Sequence, residues 1–124
     1  TWFSEYKPKE IIIKSITLDN FLYNKKVCPK IFKIDVEGAE NKVINGLRDY
    51  LTENSPFIAM EYLSEERGNE EHQKAESKLN SLGYFSFVID KSGNLRKIDF
   101  ISKYLQENNL ESDNIVFSKK VNAS

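Results

Sequence analysis

The most constraining feature of the sequence is the alternation of short apolar runs with segments of helical periodicity. The runs are rich in Ile, Val and Phe, a composition typical of β-strands. They are Glu10–Ser15, Ile31–Val36, Pro56–Leu63, Tyr84–Ile89 and Asn114–Ser118. Strands that alternate with helices predict an α/β fold, with a sheet that is parallel at its centre and has right-handed crossovers.

Segments with helical spacing of apolar residues separate these strands. Thr17 is a suitable N-cap for a short helix that ends near Tyr23. The other predicted helices are Ala39–Thr52, Glu70–Leu82 and Ile98–Glu107. The Asp, Ser, Gly and Asn residues of 90–94 predict a turn.

Size and composition limit the classes of function. The 124 residues are enough for one domain with a modest core. The net charge is -1 and the basic residues are spread along the chain, which does not favour a nucleic-acid partner. The run Ile11–Ile13 is far short of the roughly 20 apolar residues that span a membrane. The single cysteine permits no internal disulfide, and we expect a cytoplasmic protein.

The chain has one cysteine and one histidine, Cys28 and His72. Cys28 precedes Pro29 in a connecting segment, whereas His72 lies among polar residues of a helix predicted to be exposed. Since nucleophilic catalysis needs the two side chains within hydrogen-bonding reach, we expect no Cys–His pair here. One residue of each type also cannot supply a zinc site of the usual kind.

Acidic residues crowd the segment Lys33–Glu40, at the end of a predicted buried strand and the start of a helix. Ligands of open α/β sheets bind beyond the carboxyl ends of the strands. Asp35 and Glu37 share a side if the strand continues to Val36, and they could also hold Mg²⁺, although no third ligand is evident. Alternatively, Glu37 and Glu40 are helix N-terminal acids and Asp35 caps the helix.

Several other side chains have both a functional and a structural interpretation. Lys33 lies inside a strand and needs a partner if it is buried, and Glu61, at the end of the next strand, is the expected one. The alternative is a structural ion pair or two solvated side chains. Asp19 is most simply a helix N-terminal acid. The aromatic residues that could stack on a sugar ring or pack in the core are Tyr62, Tyr84, Phe85 and Phe87.

The run KIDVEGAE, Lys33–Glu40, resembles the signature of FkbM-type methyltransferases. Further landmarks of that family occur in the same order. They are Thr17–Asp19, Ile44–Gly46, Pro56–Glu61, Leu82–Tyr84 and Asp113–Phe117. The resemblance extends over roughly 16–118, which is most of the chain.

The resemblance implies a class I methyltransferase fold, a mixed seven-stranded sheet with helices on both sides. In that frame, Phe32–Val36 is the fourth strand, Phe57–Tyr62 is the fifth, and the two last strands run antiparallel. The family implies S-adenosylmethionine as cofactor and O-methylation of a hydroxyl on a sugar, polysaccharide or secondary metabolite.

Residue roles follow from the resemblance as expectations. The catalytic candidates are Asp35, Glu37 and Glu61, and Asp35 is also the candidate for cofactor contact. Lys33, Glu37 and Glu61 are the candidates for binding the acceptor.

The sequence departs from the family pattern in one respect. Its glycines are too widely spaced to form the glycine-rich cofactor turn of class I methyltransferases. We therefore expect residues 1–124 to be the C-terminal half of the catalytic domain and to bind the cofactor weakly or not at all alone. The partner would be the N-terminal half, or a second copy along an exposed sheet edge. The alternative is a non-catalytic remnant or interaction module that retains the α/β half-fold.

Overall fold

The computed structural model describes residues 8–120, which form a five-stranded mixed sheet flanked by helices. The strands are β1 (Ile31–Ile34), β2 (Phe57–Leu63), β3 (Phe85–Ile89), β4 (Leu95–Ile98) and β5 (Ser112–Ser118). Their order in the sheet is β1-β2-β5-β3-β4. The predicted α/β class is confirmed.

Strand direction places the candidate residues at one edge of the sheet. β1 and β2 are parallel, and β5 lies antiparallel between β2 and β3, as expected for the two last predicted strands. Because β5 runs opposite to β2, the carboxyl ends of β1 and β2 meet the start of β5. The register pairs Glu61 with Asn114 and Lys33 with Ala59.

The helices are α1 (Leu18–Lys25), α2 (Glu40–Asn45), α3 (Arg48–Glu53), α4 (Glu70–Ser81) and α5 (Ile101–Glu107), with a 3-10 turn at Glu65–Arg67. α1 starts as predicted: the Asn20 backbone N–H donates to Thr17 Oγ1 at 3.2 Å. None of the helices within residues 8–120 combines the length and apolar character needed to cross a bilayer.

The predicted continuous helix over 39–52 was wrong, since the chain forms α2 and α3 with a break at Gly46 and Leu47. The Asp19 carboxylate explains the new helix start, because it accepts the backbone N–H groups of Asp49 and Tyr50, both at 2.9 Å. Asp19 lies in the first turn of α1, as expected of a helix N-terminal acid, and its carboxylate also caps the start of α3. Gly46 allows the start of α1 to lie close to the break between α2 and α3, because a Cβ at position 46 would be only 3.3 Å from Thr17 Cβ.

The predicted first strand, Glu10–Ser15, was also wrong. This segment forms no strand and has no sheet partner among residues 8–120, and Ile12 is 98% exposed. An apolar β-branched run forms a strand only where it can pair and bury a face. In the described part of the chain β1 is consequently an edge strand, and its first residue, Ile31, is 68% exposed.

The region after β3 contains a strand that the sequence did not predict. The turn at 90–94 is confirmed: Asp90 Oδ1 accepts the N–H groups of Ser92 and Asn94, both at 2.9 Å. It leads into β4, which pairs antiparallel with β3, so the next helix begins at Ile101 rather than Ile98. β4 was missed because it is short and has charged residues on its exposed positions.

The core lies between the sheet and the helices, and most of the candidate stacking aromatics belong to it. Tyr62, Tyr84 and Phe87 are buried, whereas Phe85 is partly exposed beneath Lys97 Nζ, 5.2 Å from its ring centroid. Tyr84 Oη donates to the Pro56 carbonyl at 2.9 Å, and burial raises the pKa of Tyr84 to about 12. The packing interpretation of these three aromatics is therefore the correct one.

Candidate active site

Three predicted site residues line one open depression where β1 and β2 end. Lys33, Asp35 and Glu61 share it with Ser112, Asp113 and Asn114 from the start of β5, and its volume is about 420 Å³. Lys33 and Glu61 lie on the same face because Ala59, the register partner of Lys33, is two residues from Glu61. Parallel strand ends thus bring together residues far apart in the sequence.

The predicted partner of Lys33 was wrong. Its Nζ donates to Asn114 Oδ1 at 2.9 Å, across β2, and its side chain is exposed rather than buried. The small Ala59 side chain beside Lys33 lets the lysine extend across β2 to the next strand. Glu61 keeps its carboxylate in the depression without being fixed by this lysine.

Asn114 is a site residue that the sequence reasoning missed. It belongs to a chain of polar contacts in which its backbone N–H donates to Asp113 Oδ1 at 2.8 Å. Asp113 Oδ2 in turn accepts from Tyr104 Oη at 2.7 Å, and this hydrogen bond raises the Tyr104 pKa. The available signal was the three polar residues, Ser112 to Asn114, that precede the apolar run of β5.

Asp35 and Glu37 were expected to share a side if the strand continued to Val36. The strand β1 ends at Ile34 instead, and the two residues line different depressions. Glu37 and Gly38 form a turn with φ of +46° and +101°. Glu37 lines a second cleft of about 550 Å³ with Gly38, Glu40, Glu61 and His72. Glu61 is common to both depressions, and it therefore connects Asp35 on one side with Glu37 on the other.

The prediction that His72 is exposed was wrong. His72 is 3% exposed on α4, and its Nε2 lies 3.4 Å from Oε1 of Glu40, which is 1% exposed. Glu40 is the first residue of α2, as a helix N-terminal acid would be, and its Oε2 accepts the Gly38 backbone N–H at 2.9 Å. A signal was available, because His72 lies three and seven residues before the buried Ala75 and Leu79, on one helix face.

Tyr62 packs against this pair from the sheet. Its ring centroid is 5.6 Å from that of His72, and its Oη donates to Glu76 Oε1 at 2.7 Å. Burial, followed by the hydrogen bond to Glu76, raises the pKa of Tyr62 far above its usual value. Tyr62 therefore joins β2 to α4 through both His72 and Glu76.

The described residues, 8–120, form no assembled site for a metal ion or for a catalytic thiol. Among residues 8–120, no group of three or more His, Cys, Asp or Glu side chains is arranged to hold a metal ion. Cys28 is exposed and lines a different depression, beside α1 and α3, from the one that His72 lines.

The sequence model of the methyltransferase FkbM domain matches residues 2–86. This span covers more than half of the chain and includes Lys33, Asp35, Glu37 and Glu61. The chain belongs to the FkbM methyltransferase family. Searches of curated proteins and of solved structures gave no significant match.

The family match includes both strands, β1 and β2, whose carboxyl ends form the two depressions. In this FkbM methyltransferase, both depressions and the Glu40–His72 pair are built around residues of the matched segment. Asp113 and Asn114 lie beyond it, and β5 brings them to the same edge.

Proposed function

We propose that this FkbM methyltransferase uses S-adenosylmethionine to O-methylate a hydroxyl of a sugar, polysaccharide or secondary metabolite. The observation that supports the proposal most is the gathering of Asp35 and Glu61 in one depression at the carboxyl ends of two parallel strands. That edge is where open α/β sheets bind their ligands. The proposed compartment is the cytoplasm.

The residues present fit the charge of this cofactor. S-adenosylmethionine supplies an electrophilic methyl group on a sulfonium and carries both an ammonium and a carboxylate, so its net charge is positive. The depression holds the carboxylates of Asp35, Glu61 and Asp113 against the single ammonium of Lys33. An excess of hydrogen-bond-accepting anions favours a cationic ligand, and Asp35 is the proposed cofactor contact.

The acceptor hydroxyl would lie between Glu61 and Glu37. A carboxylate within hydrogen-bonding reach can take the hydroxyl proton as the oxygen becomes nucleophilic. Glu61 lines both depressions, and Glu37 lines the second one. Lys33, held by Asn114, would donate to another hydroxyl of the acceptor and so orient it.

We further propose that residues 1–124 alone bind the cofactor weakly, and that a strand from the rest of the protein or from a second copy pairs with β1. Within residues 8–120 no strand pairs with the outer side of β1, and this together with the exposed Ile31 supports the pairing. Sedimentation of the 1–124 chain tests the second-copy form. A monomer over a wide concentration range would exclude it.

The test of the proposed reaction is transfer of tritium from methyl-labelled S-adenosylmethionine to a panel of methyl glycosides by the full-length protein. We expect at least one glycoside to be labelled, and Asp35→Ala to lower the rate by about 100-fold. Glu53→Ala is the matched control, since Glu53 is an exposed acid at the end of α3, near the start of β2. Equal rates for all three proteins would refute the role of Asp35.

A further inference from the structure

We propose that Glu40 and His72 are positioning residues that hold the turn at Glu37 and Gly38 and thereby keep Glu37 at the cleft it shares with Glu61. The inference rests on the proposed function, in which Glu37 is part of the acceptor site. It adds a pair from two different helices, α2 and α4, to a site otherwise built from strand ends.

The turn needs an external support because its backbone is unfavourable. Glu37 has φ of +46°, a region where a Cβ is strained, and Gly38 follows at +101°. The backbone hydrogen bond within the turn is long, since the Ala39 nitrogen lies 3.4 Å from the Val36 carbonyl oxygen. A residue held in such a conformation persists only where surrounding contacts determine it.

Glu40 provides such a contact. Its Oε2 accepts the Gly38 N–H at 2.9 Å, which fixes the peptide that follows Glu37. Since Glu40 is 1% exposed, its carboxylate cannot turn to solvent and exchange this bond for water. The bond therefore depends on how the other carboxylate oxygen is held.

His72 lies against that second oxygen. Its Nε2 lies 3.4 Å from Glu40 Oε1, and its ring is packed against Tyr62 of β2. An Nε2–H can donate to a carboxylate whether the imidazole is neutral or protonated. The position of the turn is thus tied through α4 to the same strand that carries Glu61.

A positioning role explains why the pair is polar. A buried ion pair or charged hydrogen bond is often no more stabilising than apolar residues of the same volume. Packing alone therefore gives no reason for Glu and His at these two core positions. The need to fix the Gly38 N–H does give a reason for a glutamate, because an apolar side chain at position 40 has no hydrogen-bond acceptor.

The first arm of the test is amide hydrogen exchange of Gly38 in the full-length protein, which needs no cofactor or acceptor. Relative to the Met60 amide in the core of β2, we expect Gly38 exchange to accelerate by about 10-fold in Glu40→Ala and in His72→Leu. Glu40→Gln should keep exchange near the native rate, because its amide oxygen can accept the Gly38 N–H while its NH2 donates to His72 Nε2 in the tautomer that carries the proton on Nδ1. Glu76→Ala, which removes the Tyr62 partner, is the control for general destabilisation and should leave this ratio unchanged.

The second arm is methyl transfer to the best glycoside of the panel. We expect Glu40→Ala to lower kcat by about 100-fold with little change in KM, and Glu40→Gln to restore most of it. In a Glu37→Ala background, Glu40→Ala should have no further effect on kcat, because both changes remove the same group.

The outcomes separate the inference from the proposed function. Without methyl transfer by the native protein, the proposed function fails and the exchange arm alone decides whether the pair holds the turn. An unchanged Gly38 ratio in Glu40→Ala would overturn the inference. So would a kcat loss from Glu40→Ala that is equally large with and without Glu37, since that would show a merely structural role.

Discussion

The turn after β3 and the turn after β1 both follow the carboxyl end of a strand, but they are stabilised in different ways. The turn after β3 closes on itself: the Asp90 N–H donates to the Asn94 carbonyl at 2.8 Å, and Gly93 supplies the positive φ. The turn after β1 has a positive φ at Glu37, a non-glycine residue, and depends on Glu40 and His72. A turn that is stabilised from outside can be coupled to a site, whereas a self-contained turn only connects two strands.

The largest difference is expected when the carboxylate of each turn is removed. Glu40→Ala leaves His72 buried without its partner and the Gly38 N–H without its acceptor, and should lower the free energy of unfolding by about 3 kcal/mol. Asp90→Ala removes exposed hydrogen bonds and should cost less than about 1 kcal/mol. Urea denaturation of both variants measures these changes. Equal losses would show that the turn after β1 is no more dependent on tertiary contacts than the hairpin.

A smaller effect is expected at Asp19, which also stabilises a backbone segment distant in sequence. Its carboxylate accepts two N–H groups at the start of α3, so Asp19→Ala should lower the free energy of unfolding by about 1.5 kcal/mol. Asp19→Asn is the matched control, because one amide oxygen can still accept. A loss in Asp19→Asn as large as that in Asp19→Ala would contradict the capping role.

The smallest effect concerns backbone strain itself. Glu37→Gly should raise the free energy of unfolding by about 0.5 kcal/mol, because relief of the left-handed strain slightly exceeds the entropy cost of glycine. The same variant should lose methyl transfer, so stability and activity would change in opposite directions. Thermal denaturation beside the glycoside assay checks both. A destabilised variant would mean that Glu37 is not strained in this turn.

The two turns also show what could be predicted from the sequence. The turn after β3 was predicted because its conformation depends on residues within it, Asp90 to Asn94. The pairing of Glu40 with His72 was not, because it joins two helices across 32 positions of sequence and His72 has polar neighbours. The same reason explains why Lys33 was assigned to Glu61 rather than Asn114, since the position of β5 beside β2 is a property of the fold.

Strand prediction from the sequence failed where strand formation depended on a pairing strand. The run Ile11–Ile13 has the composition of a strand but no partner among residues 8–120, whereas the weakly apolar β4 forms because β3 precedes it by a tight turn. Periodicity located β1 and β2 and therefore the edge that carries Asp35 and Glu61. Lys33, Asp35 and Glu61 line one depression, whereas Glu37 lines the second, and the hydrogen-bond partners of these residues required the structure.

The central claim is that the carboxyl edge of β1 and β2 binds the cofactor of a methyltransferase. The most direct test is calorimetric titration of S-adenosylhomocysteine into the full-length protein, its Asp35→Ala variant and its Glu53→Ala control. We predict equal affinities for the native protein and Glu53→Ala, and an affinity at least about 10-fold lower for Asp35→Ala. Equal binding by all three proteins, or no binding by the native protein, would contradict the account.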